Sequence, residues 1–274
     1  MNIWVVPRPA FAEVNLKAIA NNVAQIKKVL APQTQLMAVV KANAYGHGAE
    51  KISHTVLKNG ADRLGVATLG EGVCLRMAGI MAPILVLGYV AADQTDVAIK
   101  YNIIQTVYTL EAAEAISQKA KERNKTATIH LKIDTGMGRI GFLPGNEESL
   151  QQIERIFQLP NLYVEGIYTH LARADERDKT FAYEQLASFD DFLSKMRQKG
   201  LTVPIVHAAN SAATMELPQS HYNMVRPGIV LYGHRPSDEV DMSRFSLQPA
   251  LTLRAQVSCV KELPPGSPIG YGSK

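Results

Sequence analysis

The sequence predicts an α/β fold, a (β/α)8 barrel of the TIM type, followed by the first strand of an otherwise missing all-β domain. Two observations carry the barrel. The run Leu36–Val40 lacks polar alternation, which is how a strand buried on both faces reads, and seven further short apolar runs repeat along the chain. Helical spacing fills the stretches between them, and eight such alternations over about 220 residues is the size of a parallel barrel. A third observation, a tail of strict period 2, carries the all-β piece.

The elements follow in chain order. Asn15 reads as an N-cap, and Leu16, Ile19, Val23, Ile26 and Leu30 recur at helical spacing until Ala31-Pro32 ends the run. The first strand is Leu36-Met37-Ala38-Val39-Val40. Further strands are expected at Leu64–Ala67, Ile84–Leu87, Ile103–Val107, Thr128–Ile133, Tyr163–Tyr168, Ile205–Ala208 and Asn223–Val225. Helices are expected between them, among them Leu110–Arg123, Glu147–Phe157 and Thr180–Lys199. In the tail, Leu251, Leu253, Ala255, Val257 and Cys259 alternate with polar residues, a half-buried antiparallel strand that stops before Leu263-Pro264-Pro265-Gly266.

A doubly wound open sheet would use the same alternation, but no G-x-G-x-x-G follows the first strand. The expected division is therefore a barrel over 10–242 and the start of a β domain over 243–274. One strand and a turn cannot fold alone, so residues 10–14 are a second strand available to the same domain.

Composition excludes several classes. Apolar residues make up 46% of the 274 and charged residues 20%, a balance that rules out a disordered chain. The formal charge of +4 is scattered without a like-charge block, so no nucleic-acid partner is expected. No run reaches the ~18 apolar residues of a membrane span. Met1–Pro7 lacks the pattern of a secretory leader. Cys74 and Cys259, in no metal spacing, read as free buried thiols. A cytoplasmic protein without a metal site is the expectation.

Chemistry in a barrel gathers at the C-terminal ends of its strands. The residues there are Lys41, then Lys132 and Asp134, then Tyr168-Thr169-His170, then His207 with Asn210-Ser211, and finally Arg226 and Gly228. Singly these read as a rim charge, a hydrogen-bonded histidine or a turn glycine. Together they say more. A lysine at a dry barrel mouth is a natural Schiff-base former. The small-residue segments Asn210–Ala213 and Gly228-Ile229 offer backbone N–H groups where barrels commonly hold phosphate. A lysine facing a phosphate cradle describes a pyridoxal phosphate site.

Val39-Val40-Lys41-Ala42-Asn43-Ala44-Tyr45-Gly46-His47-Gly48 resembles the pyridoxal phosphate attachment signature of alanine racemases. The resemblance continues through Lys132–Arg139, Tyr168–His170, His207–Ser211 and Asn223–Ile229, in family order over nearly the whole chain.

That resemblance implies a two-base racemisation of L- and D-alanine, supplying D-alanine for peptidoglycan, in a homodimer. Lys41 would carry pyridoxal 5'-phosphate and act as the base on one face of Cα. Tyr271, in Gly270-Tyr271-Gly272, matches the opposite base, contributed to the partner subunit's site. Tyr45, Ser211, Gly228 and Ile229 match phosphate contacts, with Asn210 beside them at the cofactor. Arg139 matches a residue that approaches the cofactor's phenolic oxygen and the substrate. Lys132 matches a supporting lysine that is often carbamylated. Arg226 would face the pyridine nitrogen, with His170 hydrogen-bonded to it. A guanidinium has only donors, so it cannot readily give that nitrogen a full proton, which weakens the electron sink and disfavours transamination.

Two features depart from the family pattern. The sequence ends at Lys274, early in the expected β domain, which puts the activity of this chain in doubt. Arg173 stands where a small residue is more usual, and a rim charge is its only reading. Two alternatives stay open: a barrel-only pyridoxal phosphate carrier, which would not need Tyr271, and a serine or broad-specificity racemase.

Overall fold

In the computed structural model, which describes residues 8–273, eight parallel strands close into a ring in sequence order. The barrel strands are β2 (Gln35–Val39), β3 (Arg63–Val66), β4 (Ile84–Val86), β5 (Ile104–Val107), β6 (Ala127–Lys132), β7 (Leu162–Tyr168), β8 (Ile205–His207) and β9 (Met224–Val225). β2 pairs with β9 through Gln35↔Met224 and Leu36↔Val225, which closes the ring. The connections carry α1 (Leu16–Lys27), which precedes β2, then α2 (Lys41–Tyr45), α3 (Ala49–Lys58), α4 (Leu69–Met77), α5 (Thr95–Lys100), α6 (Leu110–Glu122), α7 (Glu147–Gln158), α8 (Thr180–Gln198) and α9 (Ser211–Glu216).

Each barrel strand begins and ends within a residue or so of its sequence expectation, because burial leaves short, mostly apolar runs to read. Asn15 does cap α1, its Oδ1 accepting from Lys17 N at 3.0 Å and Ala18 N at 3.1 Å. The helix ends at Lys27, so Leu30 lies beyond it. Outside the ring, Ile129, Leu131 and Ile133 pack against Ile116, Ile153, Phe189 and Phe192 of the helices. Met37, Leu85, Ile104, Ile205 and Met224 form a separate small cluster.

The described chain forms two units. One is the barrel, Asn15–Ala250; the other joins residues 8–14 to 251–273. Residues 243–250, assigned to the second domain on sequence, are tied to the barrel: Asn22 Nδ2 donates to Gln248 O at 2.8 Å and Asn21 Nδ2 to Ser246 O at 2.8 Å.

In the second unit, β1 (Ala10–Val14) pairs antiparallel with β10 (Leu251–Ala255), from Ala10↔Ala255 to Val14↔Leu251. The partner expected for the tail is thus present. The strand is shorter than Leu251–Cys259, since pairing stops where Gln256 N reaches Pro9 O. It is also exposed rather than half-buried, because a two-stranded ribbon has no second layer within its own unit. The cysteines are free, but both are exposed; Cys74 sits on the outer face of α4, so the expectation of burial was wrong. Met1–Pro7 and Lys274 lie outside the described residues. Among the described residues no helix is long and apolar enough to cross a membrane, and no metal-ligating cluster occurs.

Candidate active site

A cavity of about 300 Å³ is lined by Lys41, Tyr45, Lys132, Arg139, His170, Asn210, Ser211, Arg226, Gly228 and Ile229. The ten barrel residues named as site residues therefore meet at one place, while Asp134, Thr169 and His207, also named at strand ends, do not line it. Tyr271 does not belong to this group; it lies in the β1–β10 unit and is fully exposed.

Lys41 opens α2, and α2 is wound the wrong way. Ala42, Asn43, Ala44 and Tyr45 have φ between 50° and 54°, a complete left-handed turn of non-glycine residues that costs about 1–2 kcal/mol per residue. Surrounding contacts hold it. Glu71 Oε1 accepts from Ala42 N at 2.7 Å, while its Oε2 accepts from Ala67 N at 2.7 Å and Thr68 N at 3.2 Å. Asn43 Oδ1 accepts from Ala49 N at 2.8 Å. Tyr232 closes the turn from behind, its ring 4.8 Å from that of Tyr45 and 4.6 Å from that of His47.

The turn delivers Tyr45 to the eighth strand's loop. A Cβ added to Gly228 would meet Tyr45 Oη at 2.6 Å, so any larger residue there would have to push the phenol aside. Gly228 N donates to Ser211 Oγ at 2.8 Å. Asn210 caps α9, accepting from Ala213 N at 3.1 Å, and its amide donates to Leu171 O at 3.1 Å. The phenol of Tyr45, the hydroxyl of Ser211 and the Gly228-Ile229 backbone thus come together at the cavity.

On another side, Asp134 organises the loop that carries Arg139. Its carboxylate accepts from Gly136 N (3.0 Å), Met137 N (2.7 Å), Gly138 N (3.1 Å) and Arg139 N (2.9 Å). Burial would raise this carboxyl, but those bonds and Lys132 hold it below its ordinary range. Lys132 is buried, donates to Ile133 O at 2.6 Å, and is pushed by burial down to about 8.

Arg226 is buried and held on four acceptors. Its Nη1 donates to His207 Nδ1 at 2.8 Å, and Nη2 reaches Thr169 O (2.8 Å), Ala208 O (3.1 Å) and His170 Nδ1 (3.2 Å). Its guanidinium lies over the Tyr168 ring at 5.0 Å. Burial lowers it to about 10, so it stays charged at neutral pH. Burial and Arg226 together push His170 down to about 3, leaving a neutral imidazole whose Nδ1 accepts. The Arg226–His170 contact expected from sequence is therefore present.

Sequence reasoning missed Glu71, the organising part of Asp134, and the lining residue Asp175; Tyr168, named at its strand end, does line the cavity. Glu71 carries a readable signal, since Thr68-x-x-Glu71 is a capping box whose carboxylate here does a second job. Arg173 is an exposed rim charge paired with Glu176, its Nε 2.8 Å from Oε1.

The N-terminal domain of alanine racemases matches residues 14–236. An alanine racemase from Desulforamulus reducens is 48% identical over 264 residues, which is 96% of this chain and 71% of that protein. The solved alanine racemase of Clostridium difficile 630 superposes with a TM-score of 0.94 at 42% identity, over 98% of this chain and 70% of its own. A histidine racemase from Leuconostoc mesenteroides subsp. sake superposes at 0.90 with 30% identity, over 99% of this chain and 72% of its own. With a matching domain over most of its length and relatives this similar, the chain belongs to the alanine racemase family of isomerases.

Proposed function

We propose that this protein interconverts L- and D-alanine with pyridoxal 5'-phosphate, in a cytoplasmic homodimer whose D-alanine supplies peptidoglycan. One observation carries the reading: Lys41, the Tyr45–Ser211–Gly228 cradle and Arg226 line a single cavity. The cradle fits a phosphate, because a side chain at Gly228 would occupy the space that Tyr45 Oη approaches. Two free thiols suit a reducing compartment.

When bound, pyridoxal phosphate supplies the electron sink that lets the substrate Cα–H leave as a proton. Lys41 Nζ is the attachment point, and once released it holds or returns that proton on one face. Tyr271 Oη serves the opposite face in the partner subunit's site, a role its exposure in the other unit leaves it free to take. Arg139, fixed through its backbone by Asp134, orients the substrate carboxylate and the cofactor's phenolic oxygen. Arg226 would face the ring nitrogen as a donor that does not give up its proton, which would keep the sink weak and favour racemisation over side reactions. Lys132, an amine pushed down to about 8, is partly neutral in mild alkali and able to add CO2; the carbamate would turn a repulsive neighbour of Arg139 into an attractive one.

Borohydride reduction of the yellow protein tests the assignment. One pyridoxyl group on the peptide containing Lys41 is expected. Labelling at Lys132 or Lys51 would overturn it.

A further inference from the structure

Behind Arg226 a line of polar side chains crosses the barrel interior. His207 Nδ1 meets Arg226 Nη1 at 2.8 Å, and His207 Nε2 meets His130 Nδ1 at 2.8 Å. His130 Nε2 then meets Glu165 Oε2 at 3.0 Å. Glu165 is gripped in turn by Arg63, Nη1 to Oε2 at 2.8 Å and Nη2 to Oε1 at 3.1 Å. Both imidazoles are fully buried.

The chemistry of the two ends dictates where every proton sits. A guanidinium only donates, so His207 Nδ1 must accept and its proton lies on Nε2. That N–H donates to His130 Nδ1, which places the His130 proton on Nε2. Glu165, as a carboxylate, only accepts, so it requires that same proton from the other end. The two ends agree, and one order results. Burial and Arg226 hold His207 well below its ordinary value, and burial keeps His130 low despite Glu165, so each ring carries a single proton.

The barrel is shaped around this line. The pairing of β6 and β7 slips between Ile129↔Val164 and His130↔Gly166, leaving Glu165 as the extra residue of a bulge. Val164 and Ile167 both face the helix-packed core, three positions apart rather than two, so Glu165 joins Gly166 on the inner side. A Cβ at Gly166 would lie 2.5 Å from the His130 ring. None of these residues is explained by strand packing: buried polar groups in a barrel interior are costly unless paired.

We propose that Glu165 and His130 are positioning residues for Arg226: acting through His207, they impose one proton order on the line and hold the guanidinium as a donor of fixed direction at the barrel mouth. The functional consequence rests on reading Arg226 as the residue that faces the cofactor ring; the proton order does not. Glu165→Gln keeps the shape of the end group but lets it donate, which admits the reversed order and puts a proton on His207 Nδ1, against Arg226. Glu165→Asp keeps an acceptor-only end.

The test is nitrogen NMR of the 15N-histidine-labelled chain without cofactor, followed by kinetics of the loaded enzyme. In the wild type, His130 and His207 each show a protonated Nε2 and a bare Nδ1. Glu165→Gln adds a second tautomer at His207, which Glu165→Asp does not. In alanine racemisation Glu165→Gln lowers kcat about tenfold, as outer-shell partners commonly do, with KM nearly unchanged, and Glu165→Asp recovers most of the loss. Nδ1–H on either ring of the wild type would overturn the proposal, and so would a Glu165→Gln protein with wild-type tautomers and wild-type kcat. Should Glu165→Gln fail to fold because Arg63 is stranded, the double variant Arg63→Gln/Glu165→Gln gives the same readout. A wild type that takes up no cofactor would sink the proposed function, while the nitrogen spectrum would still decide the proton order.

Discussion

The phenol oxygen of Tyr45 stands 2.6 Å from where a side chain on Gly228 would begin. Gly228 has φ −121° and ψ −87°, so its backbone does not need the left-handed freedom of glycine; the demand is for space. Gly228→Ala should fold normally and push Tyr45 out of the cradle. Loss of one charge-assisted contact of about 1.5–3 kcal/mol should weaken cofactor binding by roughly ten- to a hundredfold, read by equilibrium titration. Unchanged affinity would show that Tyr45 is not a phosphate contact.

Lys132 sets a pH dependence of stability. Its folded value of about 8 lies below the ordinary 10.5, so burial of the ammonium costs about 3 kcal/mol at every pH below 8. Between 8 and 10.5 the unfolded chain binds the proton and the folded one does not, so the cost fades as pH rises. Lys132→Met should therefore be more stable than the wild type at pH 7 in CO2-free buffer, and the advantage should vanish near pH 10.5. Urea denaturation across that range reads it directly.

Glu165 works at the other end of the scale. Burial would raise its carboxyl, but His130 and Arg63 together hold it at about 2 against an ordinary 4.5. The stabilisation is complete above 4.5 and is lost as pH falls toward 2. The group touches solvent, which screens the contribution to about 1–2 kcal/mol. Acid unfolding of Glu165→Gln should lack this step between pH 4.5 and 2.

The left-handed turn after Lys41 leans on Glu71, whose carboxylate bridges Ala42 N to Ala67 N. Glu71→Ala orphans backbone donors on both sides and should cost about 1–3 kcal/mol in chemical denaturation. Borohydride fixation at Lys41 should also slow, because the turn is no longer held at the cavity. A Glu71→Ala protein as stable as the wild type would mean that the strain is balanced elsewhere.

On the proposed two-base function, Tyr271 and Lys41 would divide the substrate by hand. In the dimer, Tyr271→Phe keeps the ring and removes the titratable oxygen, so turnover in both directions should fall by about 10²–10⁴. Hydrogen exchange in deuterated water separates the halves. D-alanine should still take up deuterium through Lys41, and L-alanine should not. Equal retention from both enantiomers would show that Tyr271 is no base.

The ring of strands was legible because Leu36–Val40 is an unbroken apolar run and its counterparts are short and mostly apolar, and burial on both faces is a one-dimensional signal. The site residues at their ends were legible for the same reason, once the strand ends were known. The left-handed turn was not. Ala42, Asn43, Ala44 and Tyr45 include no glycine, and their conformation is set by Glu71 and Tyr232 from distant elements. His130 and Glu165 break the apolar runs of β6 and β7, which marks them, but their meeting depends on a bulge that no local propensity announces. Cys74 misled because burial was read from residue type, while the turn of α4 faces it outward.

Closure of the ring through Gln35↔Met224 has a consequence for the life of the protein. Lys41 follows the first barrel strand and Gly228 the last, so no partial chain holds both the anchor and the cradle. On the proposed function, a polypeptide that has not yet emerged past Gly228 could not retain the cofactor, and neither could a barrel that has opened at the β2–β9 seam. Binding therefore acts on the closed form alone and draws the equilibrium toward it by mass action, by about 2.7 kcal/mol at a hundredfold excess over Kd. Cofactor supply would then govern how long the chain survives proteolysis, and starvation for it would be felt as loss of protein before loss of rate per molecule.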